Sequence, residues 1–246
     1  MARLTGKVAL VTGGSRGIGA AIAKRLAADG ADVALTYASS PAKAEAVVAE
    51  IGVLGRKGLA LAADSADAAA VTGAVERTVD AFGRIDILVN NAGIFVGGSI
   101  DDDTLEDIDR TLAVNIRAVY VGSQAAGRHM GKGGRIISIG SCLAELVGDP
   151  GMTLYSMSKA ALIGMTKGMA RDFGARGITV NIVHPGPTDT DMNPAEGAHA
   201  DKQRAKLAVG HYGEAADIAA AVAYLAGAEA GFVTGAALAV DGGFAA

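Results

Sequence analysis

The chain has no tryptophan, only 4% aromatic residues and a single cysteine among its 246 residues. With so few rings, a large core must be filled by Ala, Val, Ile and Leu, as suits helices packed on a parallel sheet. One thiol, Cys142, excludes an intramolecular disulfide and argues against a thiolate metal site. The four histidines, His129, His184, His199 and His211, are scattered without metal-ligand spacing, so no metal is expected. No stretch reaches the roughly 18 uninterrupted apolar residues of a membrane span. The first residues, with Arg3 and Lys7 flanking a short segment before a strand pattern, do not read as a signal peptide. Charge of one sign is nowhere concentrated: 22 Lys and Arg against 26 Asp and Glu give a formal net charge of −4. Nucleic acid and anionic membranes are therefore not expected partners. The densest acidic run, Asp101-Asp102-Asp103, reads as a solvated lead-in to a helix. A reducing, cytoplasmic setting is the expectation that follows.

Half of the residues are hydrophobic, and they recur in two alternating patterns. Apolar, β-branched runs at 7–11, 33–37, 58–62, 85–89, 135–139, 178–183 and 237–240 predict strands. Helical spacing predicts helices at 18–29, 41–54, 67–82, 105–130, 155–173 and 214–226. Gly30 and Gly174 are the expected stops of two helices, Pro41 sits in the first turn of another, and Thr104 is the expected cap of the long one. Strands alternating with helices of this length mean right-handed crossovers and one parallel, doubly wound sheet with helices on both faces. No linker or internal repeat interrupts the pattern, so residues 1–246 are expected to form a single α/β domain.

Ligands of such sheets bind beyond the carboxyl ends of the strands. Each of the first six predicted strands ends in a polar or glycine-rich turn. In order these are Thr12-Gly-Gly-Ser-Arg-Gly-Ile-Gly19, Ser39-Ser40, Asp64, Asn90-Asn91-Ala92-Gly93, Ser141 and Pro185-Gly186. In the first turn Gly13 allows the bend, while Gly17 and Gly19 allow close approach of backbone to a pyrophosphate and of helix to strand. Downstream, Tyr155 and Lys159 fall at i, i+4, which puts a phenol and an ammonium on one helix face. A phenol with a pKa near 10 is a poor acid–base catalyst at neutral pH. A cation held beside it favours the phenolate and lowers that value.

With these motifs in this order, the chain resembles the short-chain dehydrogenase/reductase family from about residue 6 to residue 244, and within it the 3-oxoacyl-carrier-protein reductases. The glycine spacing Gly13-x-x-x-Gly17-x-Gly19, Asn90-Asn91-Ala92-Gly93, Asn115, Ser141, Tyr155-x-x-x-Lys159 and Pro185-Gly186 carry the likeness. It implies a Rossmann-type fold and four catalytic roles. Tyr155 would be the general acid that protonates a carbonyl oxygen. Lys159 would lower the phenol's pKa and hold the nicotinamide ribose. Ser141 would hydrogen-bond the substrate oxygen, with Ser138, inside the strand, as its rival. Asn115 would interrupt its helix and hold a water beside Lys159, or merely cap a kink. The interval between Ser141 and Tyr155 is long for the family, so the loop at 142–153 is expected to be remodelled, with Cys142 as a small pocket-wall residue.

The turn after the second strand, Tyr37-Ala38-Ser39-Ser40, lacks the carboxylate that NAD-specific enzymes place there for the ribose 2′-OH. Arg16 in the glycine loop can reach a 2′-phosphate, so NADPH is expected rather than NADH. Ser15 and Ile18 complete that loop, Asp64-Ser65 resembles the adenine contact, and Thr188 and Thr190 follow Pro185-Gly186 toward the cofactor. Residues 187–211 read as a mobile substrate lid. A ketone or 3-oxoacyl substrate is expected. An acyl carrier protein is a candidate partner, through Lys132, Arg135, Arg171 and Arg176. The alternatives are a secondary-alcohol dehydrogenase of small substrates and a nucleotide-binding regulator on the same fold. A second apolar stripe, with Ala113, Ile116, Val119, Ala161, Ile163, Met165 and Met169, predicts a homo-oligomer, a tetramer before a dimer.

Overall fold

The computed structural model of the chain describes residues 3–246. Seven strands form one sheet: β1 (Val8–Val11), β2 (Asp32–Tyr37), β3 (Gly58–Ala62), β4 (Ile87–Asn90), β5 (Arg135–Ile139), β6 (Thr179–Pro185) and β7 (Ala237–Val240). Their order is β3-β2-β1-β4-β5-β6-β7, and every pairing is parallel. The chain runs outward from β1 to β3, then returns to the other side of β1 with β4. That reversal opens a crevice between the carboxyl ends of β1 and β4.

Strand alternation decides which face each residue serves. Ala9 and Val11 of β1 join a core with α1 (Gly17–Ala28), α2 (Pro41–Val53) and α8 (Ala215–Ala226), where Ile22, Leu26, Ile51 and Val222 are buried. Leu10, between them, points to the other face with Leu88 and Ile136, and packs with α3 (Ala68–Phe82), α5 (Ala118–His129) and α6 (Thr153–Gly174). Each fully buried Leu or Ile contributes about 1.5–3 kcal/mol of transfer free energy. The aliphatic composition is thus spent on both faces of one sheet.

Three departures from the sequence pattern bear on the site. The predicted helix 105–130 is three pieces: α4 (Leu105–Thr111), a π-helical segment (Leu112–Arg117) and α5. Thr104 caps the first, accepting from the Asp107 N–H at 3.1 Å. A π segment inside a helix re-aims side chains and is a frequent mark of a functional site; this one carries Asn115. Second, β6 runs on to Pro185, and α6 begins at Thr153, before the expected Tyr155, while ending at Gly174, the expected stop. Third, the presumed lid contains a helix, α7 (Ala198–Arg204). Ala200, Leu207 and Tyr212 are buried against Cys142 and Phe244. The second half of that segment is therefore packed structure rather than a free loop.

The expected basic surface is not at the cleft. Lys132 precedes β5, Arg135 is its first residue, and Arg171 and Arg176 precede β6, all at the amino ends of the strands, opposite the crevice. Arg135 is buried, its guanidinium donating to the carbonyls of Gly134 and Gly227. Arg176 donates to the carbonyls of Gly127 and Met130 and lies over the Phe173 ring. The expected second apolar stripe is likewise thinner than its pattern, because Ala113, Val119 and Met169 are buried within the chain.

Candidate active site

The loop after β1 is shaped by glycines at positive φ, 63° at Gly13 and 53° at Gly17. The Gly13 N–H donates to Thr36 Oγ1 (3.0 Å), and the Gly14 N–H to the Thr36 carbonyl (2.9 Å). A Cβ on Gly19 would lie 2.3 Å from the Gly13 carbonyl and 2.4 Å from Asn91 Nδ2. Only a bare backbone lets α1 pack this tightly under the loop. Asn91 fixes the crevice from the β4 side, its Nδ2 donating to the carbonyls of Thr12 (2.9 Å) and Gly13 (3.1 Å). Thr12 Oγ1 in turn accepts from the N–H groups of Asn91 and Ala92. Arg16 occupies the N-cap of α1, and no side chain caps that helix. The first-turn N–H groups and the positive end of the helix dipole are left to whatever fills the crevice.

Around this loop lies a cavity of about 590 Å³. Gly13, Ser15, Arg16, Gly17, Ile18 and Gly19 line one end of it, with Tyr37 at the end of β2, Ala38, Ser39 and Ser40 just after it, Asp64 and Ser65 beyond β3, and Asn91, Ala92 and Gly93 beyond β4. Ser141, Tyr155, Lys159, Pro185, Gly186, Thr188 and Thr190 line the rest. Among the predicted site residues only Asn115 stands behind the wall. Its Nδ2 donates to the Ile94 carbonyl and to Ser158 Oγ, both at 3.0 Å, and its Oδ1 accepts from the Ile94 N–H at 2.9 Å. Gly93 is pinched between Asn115 and Lys159: a Cβ there would sit 3.4 Å from Asn115 Oδ1 and 3.3 Å from Lys159 Nζ.

Ser141, at the carboxyl end of β5, rather than Ser138, reaches the cavity; Ser138 is buried inside the strand. Ser141 Oγ accepts from the Leu143 N–H at 3.2 Å and lies within hydrogen-bonding reach of the Tyr155 phenol. Its own N–H donates to Nδ1 of the buried His184 at 3.1 Å. That bond fixes the imidazole as an acceptor at Nδ1, and His184 thereby supports Ser141, a role its position in the sequence did not signal. Lys159 is buried, and its Nζ donates to the Ile139 carbonyl at 3.0 Å and lies 5.7 Å from the centre of the Tyr155 ring. Burial pushes the Lys159 ammonium down to about 8. It pushes the Tyr155 phenol up to about 12, against the Ser141 hydrogen bond that favours the phenolate. The expected depression of the phenol's pKa is thus absent in the chain by itself. The Lys159 ammonium is committed to a carbonyl, and desolvation of the phenol outweighs it. Cys142 is pushed up to about 11, first by burial and then by Asp241, which makes it an inert wall thiol.

The sequence profile of the family described as "Enoyl-(Acyl carrier protein) reductase" matches residues 13–245. A short-chain dehydrogenase from Burkholderia cenocepacia, solved in complex with NADP, superposes with a TM-score of 0.98 at 66% identity, over 99% of this chain and 100% of that one. The chain is a short-chain dehydrogenase/reductase. It is 47% identical to the cyclic-di-GMP-binding biofilm dispersal mediator protein of Escherichia coli, over the full length of both. It is also 42% identical to the 3-oxoacyl-[acyl-carrier-protein] reductase of Synechocystis, over 99% of this chain and 98% of the relative.

Beyond the predicted residues, this short-chain dehydrogenase/reductase lines its cavity with Phe95, Leu143, Met152, Met192 and Phe244. Phe95 stands edge-on to Tyr155 with ring centres 5.1 Å apart. None of these apolar residues carried a local signal, since a lone Phe or Met in a loop looks like any other surface residue. Lys43, at the start of α2, was also missed. Its Nζ lies 3.1 Å from Asp191, which in turn lies 3.9 Å from Arg16. Among the described residues no cluster of His, Cys, Asp or Glu has the arrangement of a metal site, and no helix is long and apolar enough to cross a membrane.

Proposed function

We propose that the chain is an NADPH-dependent carbonyl reductase that converts a ketone or 3-oxoacyl carbonyl to a secondary alcohol, with Tyr155 as general acid. The observation that carries this reading is one cavity with two distinct ends. At one, Ser141, Tyr155 and Lys159 converge; at the other, a glycine loop and an uncapped helix start meet Arg16 and an acid-free turn. The room kept by Gly13 and Gly19 fits a pyrophosphate. Arg16, with the Ser39 and Ser40 hydroxyls, fits a 2′-phosphate, in keeping with NADP in the Burkholderia relative. Bound there, NADPH would supply the two electrons and the hydrogen that carbonyl carbon receives.

The chain's own residues handle the proton. Ser141 Oγ donates to the carbonyl oxygen and orients it against the phenol. Tyr155 delivers its proton to that oxygen as negative charge develops on it. A phenol near 12 keeps its proton at neutral pH but is a weak acid, so its delivery depends on stabilising the phenolate as it forms. The Lys159 ammonium stabilises the phenolate left behind, at a distance where a low-dielectric wall keeps the attraction strong. Asn115 holds the wall, tying the β4 exit at Ile94 to Ser158. Ser158 Oγ in turn donates to the Tyr155 carbonyl at 2.7 Å. Every amide proton of Asn115 is committed in this way, so a water relayed past Lys159 would rest on a carbonyl oxygen there.

Apolar lining by Phe95, Leu143, Met152, Met192 and Phe244 favours a substrate whose carbonyl is flanked by carbon chains or rings. The basic residues expected to receive an acyl carrier protein lie at the far end of the sheet, so a free ketone or keto ester is the better fit. NADPH oxidation followed by absorbance against ketones, keto esters, diketones and an acetoacetyl thioester tests the reading. Absence of turnover with every class would sink it. The second reading, a nucleotide-binding regulator, is favoured by the likeness to the cyclic-di-GMP-binding relative from Escherichia coli. It predicts tight binding of a cyclic dinucleotide in competition with NADPH and no need for Tyr155.

We place the enzyme in the cytoplasm on its single, buried thiol, and propose a homotetramer. Tyr120 on α5, Met157 on α6 and the fully exposed Phe232 beside the edge strand β7 are large apolar groups facing outward. Light scattering checks this, since a mass near the 24.4 kDa of one chain would reject it.

A further inference from the structure

We infer that Asp191 is a built-in competitor for the cofactor's 2′-phosphate, and that Lys43 joins Arg16 in holding that phosphate once Asp191 withdraws. The inference rests on the proposed use of NADPH and concerns which residues set the preference for it. Asp191 belongs to the segment after β6, whereas Arg16 lies after β1 and Lys43 in the first turn of α2. One carboxylate oxygen, Asp191 Oδ2, serves both cations, at 3.1 Å from Lys43 Nζ and 3.9 Å from Arg16 NH1. Among the described residues neither side chain has another ion-pair or hydrogen-bond partner. Arg16, Ser39, Ser40 and Asp191 all line the cavity. The turn from Thr190 to Asn193 sets the backbone that carries the Asp191 carboxylate. Its Asn193 N–H donates to the Thr190 carbonyl (3.1 Å) and to Thr190 Oγ1 (3.2 Å), and Thr190 packs against Gly17.

Charge counting gives the direction. Two cations with one carboxylate carry a net +1 that attracts an anion. A phosphate dianion beside Arg16 and Lys43 brings the group to zero only if Asp191 leaves; if it stays, the group is at −1 and two anions are adjacent. The dianion is the stronger partner for both cations, because it offers three acceptor oxygens against one shared carboxylate oxygen. NADH brings a hydroxyl to the same place, removes no charge and leaves Asp191 where it is. Asp191 therefore weakens NADPH selectively and narrows the gap between the two cofactors. It also ties phosphate recognition to the turn at 190–193, which borders the cavity through Thr190, Met192 and Asn193.

Calorimetric titration of NADPH, NADH, adenosine 2′,5′-bisphosphate and adenosine 5′-monophosphate into wild type, Asp191→Asn, Lys43→Gln and the double variant tests this without measuring turnover. Asp191→Asn should tighten NADPH and the 2′,5′-bisphosphate by about threefold to fivefold, the scale of exposed ion pairs. NADH and the 5′-monophosphate should shift by less than about twofold. Lys43→Gln should weaken the phosphate-bearing pair by about threefold, and by more when Asp191→Asn is already present, since Lys43 then has no other anion. Unchanged NADPH affinity in Asp191→Asn, or an equal gain for NADH, would overturn the competitor role. Unchanged affinity in Lys43→Gln would overturn the role of Lys43. A wild type that prefers NADH and ignores the bisphosphate would overturn the NADPH reading itself, and the inference with it.

Discussion

Two buried charges sit at opposite ends of the same sheet and are treated in opposite ways. At the amino end Asp86 is 7% exposed, and at the carboxyl end Lys159 is 5% exposed. Asp86 receives four donors: Lys7 Nζ (3.1 Å), the Val8 N–H (3.0 Å), and Arg84 through Nε and NH2 (both 2.7 Å). Burial alone would raise its pKa, yet the Arg84 hydrogen bond, the Val8 N–H and Lys7 outweigh burial and hold the carboxyl below its usual range. Lys159 has a single acceptor, the Ile139 carbonyl, and burial wins. The carboxylate is compensated on the spot and stabilises the fold; the ammonium is left under-compensated, and on the proposed mechanism it would meet an anion that forms only during reaction. Buried charge of itself says little about stability until its partners are counted.

The comparison breaks most visibly in turnover. Lys159→Met fills the same space with an apolar chain, and Tyr155→Phe removes the transferable proton while keeping shape. Each should lower turnover by roughly 100-fold or more, the usual contribution of a placed general acid. NADPH binding should survive Tyr155→Phe. Thermal unfolding of Lys159→Met should show a protein at least as stable as wild type, because the variant removes an ammonium that burial disfavours. A Tyr155→Phe enzyme that keeps most of its activity would reject the acid role. A Lys159→Met protein that unfolds readily would show that the ammonium, like Asp86, serves the fold.

At the other end the order of effects reverses. Asp86→Asn keeps size but weakens the interactions with Arg84 and Lys7, so stability should fall by about 2 kcal/mol, the scale of hydrogen bonds to a charged group. Turnover per folded molecule should stay within about twofold, since Asp86 lies a full strand length from the cavity. Denaturant melts paired with turnover measured well below the midpoint check both halves. Loss of activity without loss of stability would refute this division of labour.

Much of the carboxyl end was legible in the sequence and little of the amino end was. Turns that must bend sharply or admit a backbone need glycine, and a phenol–ammonium pair on one helix face needs fixed spacing. Residues 12–19, 90–93 and 155–159 therefore announce themselves locally. Asp86 and Arg135 do so far less, because Lys7, Val8 and Gly227, which complete their partners, are distant in sequence, although Arg84 stands two residues from Asp86. The break in the 105–130 helix was foreshadowed only by resemblance at Asn115, since its apolar spacing runs through the π segment. The lid read as mobile because it is rich in Pro, Ala, Gly and charge, yet Leu207 and Tyr212 find Cys142 and Phe244, contacts set by tertiary packing alone. Lys132, Arg135, Arg171 and Arg176 were assigned to the cleft although residues before a strand belong to the edge opposite to it. That error was avoidable from topology.

The smallest effect separates the two charges by pH. The folded pKa of Lys159, about 8, lies below its ordinary value of 10.5. Between these values the unfolded chain binds more protons than the folded one, so stability rises with pH. For this group alone, the gain from pH 7 to pH 9 is about 1 kcal/mol. Above about pH 9 the raised thiol of Cys142, and above about pH 10 the raised phenol of Tyr155, work the other way, since each ionises first in the unfolded chain. The clean window is therefore pH 8 to 9, and above it the comparison with Lys159→Met cancels both groups. Asp86 acts on the acid side. Its folded pKa is depressed below 3.8, so its contribution is fully present above the unfolded value and is lost as pH falls through the folded one. Melting curves of wild type and Lys159→Met across pH 7 to 10 should converge as pH rises, with Lys159→Met showing the flatter profile. Parallel curves would mean that the Lys159 ammonium is better compensated than its single carbonyl partner implies, and the contrast with Asp86 would collapse.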